Sequence, residues 1–173
     1  MAITVTASPT TLSWSSFTPQ TIVIDPNDGT EQDCVTRFNF DIPDRPPRTV
    51  DGQQALAETF VIRITPNAQV RIGAAKTAAL LRHEQLHYDV GIVTARALAR
   101  ELMRLRAPDL PTLVQRFQAA VDLHFFRRAG LIQTRYDRES RHSQNAHYQG
   151  VWERAMATCL ADPRATHILG WWL

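Results

Sequence analysis

The sequence is poor in several residues that would otherwise narrow its class. It has two cysteines in 173 residues, and Lys76 is its one lysine. Cys34 and Cys159 can form at most one disulfide, which excludes a disulfide-scaffolded module and suits two small buried hydrophobes. Seven glycines and ten prolines exclude collagen and a wholly disordered polymer. No apolar run approaches the ~18 residues of a membrane span, so no integral membrane segment is expected. The start, MAITVTASPTTLSWSS, lacks the charged region and apolar stretch of a secretory signal.

What is present reads as one soluble domain. Hydrophobic residues make up 44% of the chain, and a chain this long buries roughly two-thirds of its unfolded surface, so its core needs no structural metal. Eighteen arginines raise the pI, but seventeen acids are interspersed with them. No aromatic-and-basic alternation suggests a nucleic-acid partner. Arg96, Arg100 and Arg104, at i, i+4 and i+8, read as a solvated helix face.

Strand signals fill residues 1–72 and helical ones residues 73–173, an α+β organisation of amino-terminal antiparallel strands followed by a long helix and two further helices. Ile3 to Ala7, Thr21 to Asp25 and Cys34 to Ile42 are strand candidates, with Phe38, Phe40 and Ile42 on one face. Phe60 to Thr65 alternates likewise, and a turn at Pro66, Asn67 and Ala68 predicts a return through Gln69 to Ile72, an antiparallel hairpin. Asp41 to Gly52 is proline-rich and reads as a loop. A long helix is predicted from about Ala74 to Leu105, ended by Pro108 and weakened midway by Gly91. A second starts near Pro111, capped by Asp109, and fades near Tyr136. A third runs from about Asn145 to Leu160, and the tail HILGWWL is expected to pack back on the body.

The first helix contains LLRHEQLHYDVG, in which His83, Glu84 and His87 form HExxH, the zinc-hydrolase signature. With six His and six Glu, chance would place this pattern in the chain with a frequency of only about 0.7%. At about 100° per residue, the two histidines differ by about 40° in azimuth and one turn in height, so both imidazoles can meet one ion. Glu84 lies about 60° further round. Leu86, Val90, Val93 and Ala97 form an apolar stripe on the other flank, leaving Glu84 facing a cleft. Zinc lowers the pKa of a bound water to around 7, and a neighbouring carboxylate takes its proton as it attacks a carbonyl.

Catalytic zinc requires a third protein ligand and an open position. The helix does not supply one. Asp89 is rotated about 200° from His87, and Glu101 lies about 21 Å along the axis. Val93 stands where the extended HExxHxxGxxH form has its third histidine, which excludes a metzincin. Downstream, the turn in YDRESRHSQNAHYQGVW offers His142 first, with Asp137 and His147 as alternatives. His124 and His167 read as ordinary core or surface histidines.

HEQLHYDVG and YDRESRH, with Trp14 and Phe17 upstream and Gln149 and Trp152 downstream, resemble the bacterial domain-of-unknown-function family nine-two-two, of zinc-dependent protease type. The resemblance covers nearly the whole chain. It implies a zincin-like fold, a Zn2+ cofactor and a protein or peptide substrate. His83, His87 and His142 would be metal ligands, Glu84 the general base, and Tyr136 or Tyr148 a phenol for the oxyanion. Asp137 or Asp89 would orient a ligand imidazole. Leu86, Ser140 and Ser143 depart from the family's Gly, Thr and Gly. Members are often exported, so the resemblance points to an exported or periplasmic protein and the missing signal to a cytoplasmic one. Two other readings stand beside the peptidase. A peptide deformylase would draw a third ligand from a Gly-Cys-Leu-type segment, a pattern EQDCVTR around Cys34 lacks. A catalytically inactive zincin-like binding or scaffold protein would work through a partner surface, for which Trp171 and Trp172 are candidates. Neither substrate specificity nor oligomeric state is legible.

Overall fold

The β-branched runs of the first 72 residues condense around one long strand. The computed structural model describes residues 2–44 and 46–173. Its first elements are β1 (Ala2–Ala7), β2 (Phe17–Gln20), β3 (Cys34–Asp41), β4 (Arg48–Val50), β5 (Gln53–Ala55) and β6 (Thr59–Arg71). β6 is the spine. β1 pairs with its first half and β2 with its second, both parallel, while β3 runs antiparallel to residues 63–70. Because β3 overlaps both β1 and β2 along β6, it must occupy the opposite edge. The sheet is therefore three strands wide, with β1 and β2 in tandem on one edge and β3 on the other.

Two expectations are corrected here. The strands are mixed in direction, not antiparallel throughout, and the predicted hairpin at Pro66 is one continuous 13-residue strand. Pro66 falls in the gap between β1, which ends opposite Ile64, and β2, which begins opposite Ala68, so no strand on that edge needs its missing N–H. Thr21 to Asp25 forms no strand, only an isolated bridge between Ile24 and Glu31. The proline-rich segment does hold the short β4, paired with β5.

The second half opens with α1 (Ala78–Arg104), whose Thr77 cap accepts from the Leu80 N–H. The two-residue β7 (Arg106–Ala107) joins β5, and α2 (Leu110–Val121) follows, capped by Asp109 as its position predicts. α2 passes without a break through a π-helical segment, Asp122–Arg128, into α3 (Ala129–Ser140), four residues beyond the expected end. Asn145 caps α4 (Ala146–Ala161), and the tail forms a two-strand turn, β8 (His167–Ile168) and β9 (Trp171–Trp172). Ile168 and Leu173 are buried, so the tail does pack on the body. No described helix is long and apolar enough to cross a membrane.

α1 is apolar on both flanks, more than its predicted stripe. Leu86, Val90, Val93 and Ala97 pack against Ile132, Tyr136, Trp152 and Met156 of α3 and α4. Tyr88, Ile92, Leu98 and Leu102 pack against Ile62, Ile64 and Val70 of the sheet. A helix buried on two sides sits between layers, so its residues are held in register with sheet and helices at once. The arginine face is corrected at Arg96 and Arg100, while Arg104 is exposed as expected. Arg96 donates to the Leu160 carbonyl at 2.8 Å, and Arg100 to the Pro163 and Ala165 carbonyls at 2.7 and 2.6 Å. These arginines satisfy carbonyls at and beyond the end of α4, where a cation also complements the helix dipole.

Candidate metal centre

The second and third turns of α1 deliver His83, Glu84 and His87 to the floor of a cleft, all less than a tenth exposed. The wall opposite is the last turn of α3, which carries Tyr136 and Asp137. The two imidazole Nε2 atoms stand 3.2 Å apart, and Asp137 Oδ1 lies 3.1 Å from that of His83 and 2.8 Å from that of His87. Three ligand-type atoms thus form one small triangle. A tetrahedral zinc ion with ligands at about 2.0–2.2 Å separates any two of them by about 3.3–3.5 Å. The triangle is a few tenths of an ångström tighter, and two imidazoles with a carboxylate are a donor set that zinc takes.

The charges of the cluster follow from burial and pairing. Burial opposes a charge on His87, but the carboxylate and hydrogen bond of Asp137 prevail and raise it to about 9. Burial works to raise Asp137, yet His87 and His83 hold it well below the usual carboxylate range. His83 loses more to burial than it gains from Asp137 and falls to about 4. Pairing with Asp137 thus favours the charged form of His87, and burial favours the neutral form of His83.

Glu84 is the fourth group. Burial pushes its carboxyl up to about 7, against the charge of His87 and the Thr36 hydroxyl of β3, which favour the ionised form. Its Oε2 and the Thr36 hydroxyl are both buried without a hydrogen-bond partner among the described residues. An orphaned carboxylate oxygen beside three converging ligand atoms fits a general base and has no structural explanation among the described residues.

The other predicted residues fall at different distances. His142 lies on the cleft wall, its Nδ1 3.6 Å from Asp137 Oδ1, and it also approaches Asp25 and Asp28, their ligand atoms lying within 4.8 Å of one another. The tight group therefore takes Asp137, the alternative, and leaves His142 one step out. The cause is the backbone: α3 ends at Ser140, and Arg141, His142 and Ser143 have φ of 50°, 49° and 74°, a left-handed run that carries His142 past the helix end. Tyr136 stacks on His83 with centroids 4.6 Å apart and packs edgewise on His87, its hydroxyl buried and unpartnered. It orients the imidazoles. His147 and Tyr148, on the first turn of α4, lie outside the cleft lining, and Tyr148 is exposed.

Asp89 bonds Gln85 at 2.8 Å and reaches neither imidazole. His124 is a core histidine paired with Glu101 at 2.8 Å. Cys34 and Cys159 are buried and free, and although Cys34 lines the cleft, its thiol donates to the Gln69 carbonyl at 3.1 Å. Sequence reasoning missed Asp25 and Thr36, because both read as strand residues, Asp25 at the end of Thr21 to Asp25 and Thr36 within Cys34 to Ile42. It also missed Gln85, whose side chain accepts from the Leu12 N–H and donates to the Thr10 carbonyl, tying the amino-terminal loop to α1.

The cleft holds about 260 Å³ between β3, α1 and α3. The fold and the site together define a mixed α/β protein with a buried His-His-Asp cluster and an adjacent glutamate at the floor of an open cleft. The chain belongs to the family described as bacterial protein of unknown function (DUF922), whose model matches residues 30–143 and so spans β3 to the distal His142. No curated protein and no solved structure matches the chain.

Proposed function

We propose that the protein is a zinc-dependent peptidase of zincin-like fold. The observation that carries this reading is the convergence of His83 Nε2, His87 Nε2 and Asp137 Oδ1 within 3.2 Å of one another beside the orphaned carboxylate of Glu84. His83, His87 and Asp137 would hold the ion, with His142 on the wall within reach. Bound there, zinc supplies Lewis acidity that activates water and polarises a carbonyl. Glu84 takes the proton of the attacking water and returns it to the leaving amine. Burial in the cleft, which pushes its carboxyl up, helps Glu84 hold the proton between these two transfers. Asp137 and Tyr136 fix the imidazoles, and His142, one-third exposed on the wall, is placed to donate to the developing oxyanion.

The sheet offers a peptide a place to lie. The outer edge of β3 pairs with no described strand, and residues 34–38 line the cleft beside Glu84. An extended segment that adds to this edge would cross the site with its backbone hydrogen-bonded, so recognition would rest on the peptide backbone first.

The test is metal content by elemental analysis of protein purified without a metal-affinity tag, beside cleavage of a peptide library by wild type and Glu84→Gln. The expected result is about one zinc per chain and hydrolysis that falls by about 10²–10⁴ in the variant while metal is retained. A variant that cleaves as fast as wild type would overturn the peptidase, and a chain that holds zinc but cleaves nothing would leave the binding or scaffold protein.

A further inference from the structure

The cleft does not end at the metal centre. On the π-helical segment and α3, Phe126, Arg127, Gly130, Arg135 and Arg138 line a second groove of about 580 Å³, closed on one side by Trp171 of the tail. Phe126 and Gly130 line both this groove and the cleft of the His-His-Asp cluster, so the two adjoin at these residues. Gly130 forms the saddle: a Cβ built there meets nothing within 4 Å, which leaves the passage open.

The groove is lined by three arginines and no acid. Arg127 is paired with Asp122 at 2.7 Å, both well exposed. Arg135 is bonded to Glu139 at 2.6 Å and lies 5.0 Å over the Trp171 ring. Arg138 donates no hydrogen bond to any described residue, so its guanidinium is free to bind a ligand in bidentate fashion. Phe126, 63% exposed at the saddle, supplies apolar surface against which a side-chain stem can lie.

We infer that this groove is a specificity subsite for an acidic side chain of the substrate, a Glu or Asp lying a few residues to one side of the bond placed over the metal centre, with Arg138 as its principal partner and Arg127 as its second. The inference rests on the peptidase reading. It adds a substrate class to it: polypeptides with a carboxylate at one fixed distance from the cleavage point. A cationic side chain at that position meets Arg138, the one groove arginine without a carboxylate partner among the described residues, and is disfavoured.

The test is a positional scan in which each residue flanking the scissile bond of a cleaved library peptide is Glu, Gln or Lys in turn. One position is expected to favour Glu over Gln by about tenfold in kcat/KM, chiefly through KM, the scale of one charge-assisted contact. Arg138→Gln should abolish that preference and Arg138→Glu should turn it toward Lys. A flat profile at all positions, or a preference that survives both substitutions, overturns the subsite. If no peptide is cleaved, the peptidase reading falls by itself. The groove is then judged by fluorescence anisotropy of a labelled Glu-Ala-Leu repeat and its Gln counterpart on zinc-loaded protein. Glu binding about tenfold tighter and lost in Arg138→Glu sustains the anionic site, and equal binding removes it.

Discussion

Asp137 and His87 hold each other's charge, and this pair separates two ways of completing the site. If Asp137 is the third ligand, Asp137→Ala should weaken zinc binding by more than about a hundredfold, while His142→Ala should cost less than about tenfold, measured by competition with a chelating dye. The reverse ranking would make His142 the ligand and Asp137 its orienting partner. A second residue gives a pH dependence. Burial raises the Asp89 carboxyl to about 6, against its hydrogen bond from Gln85. The folded chain then binds more protons than the unfolded one between about pH 4 and 6, so this group's contribution falls as pH rises through that window. Above it the ionised Asp89 costs roughly 3 kcal/mol. Asp89→Asn should therefore stabilise the chain at pH 7 relative to wild type and lose that advantage near pH 4, as read from urea midpoints at the two pH values.

At the scale of elements, what matters is how closely α1 and β3 approach, since the cleft is the space between them. A Cβ at Gly91 would stand 2.4 Å from the Phe38 ring and 2.9 Å from its Cβ, so the glycine allows helix and strand to touch. Phe38 in turn packs on Phe125 and lines the cleft. In a free helix Gly→Ala would gain about 1 kcal/mol; here overpacking should reverse the sign. Gly91→Ala is expected to destabilise by about 1–3 kcal/mol, seen as a lower denaturant midpoint, and a stabilised variant would show that β3 does not sit on that face of α1. The sequence showed this glycine only as a weak point in the helix, because the partner it accommodates is about fifty residues away.

Across the whole molecule, the two hydrophobic clusters share α1, and the His-His-Asp cluster joins α1 to α3 across the second of them. An ion bound only by the folded chain should stabilise both clusters together. Zinc at about a hundred times its dissociation constant adds about 2.7 kcal/mol, which for a chain of this size raises Tm by about 5–11 °C. Differential scanning calorimetry should show one shifted transition, absent in His83→Ala. Two transitions, of which zinc moves one, would mean that the clusters unfold separately.

The local choices were legible in the chain. HExxH on a helix placed His83, Glu84 and His87 together because one helical turn fixes their relation whatever surrounds them, and Asp109, Pro108 and the alternation in Phe60 to Ile64 marked their elements by backbone chemistry alone. What depended on distant partners was not legible: the direction of β1 and β2, the unbroken β6, the arginines that bond carbonyls, and Asp137 standing closer than His142. Strand direction is set by which edges are free when the sheet assembles, and which of Asp137 and His142 joins the two histidines by where α3 stops against α1. Sequence alone determined the chemistry the site can carry. Tertiary packing decided which groups meet, because a distance between side chains fifty residues apart is a property of the layers that hold them.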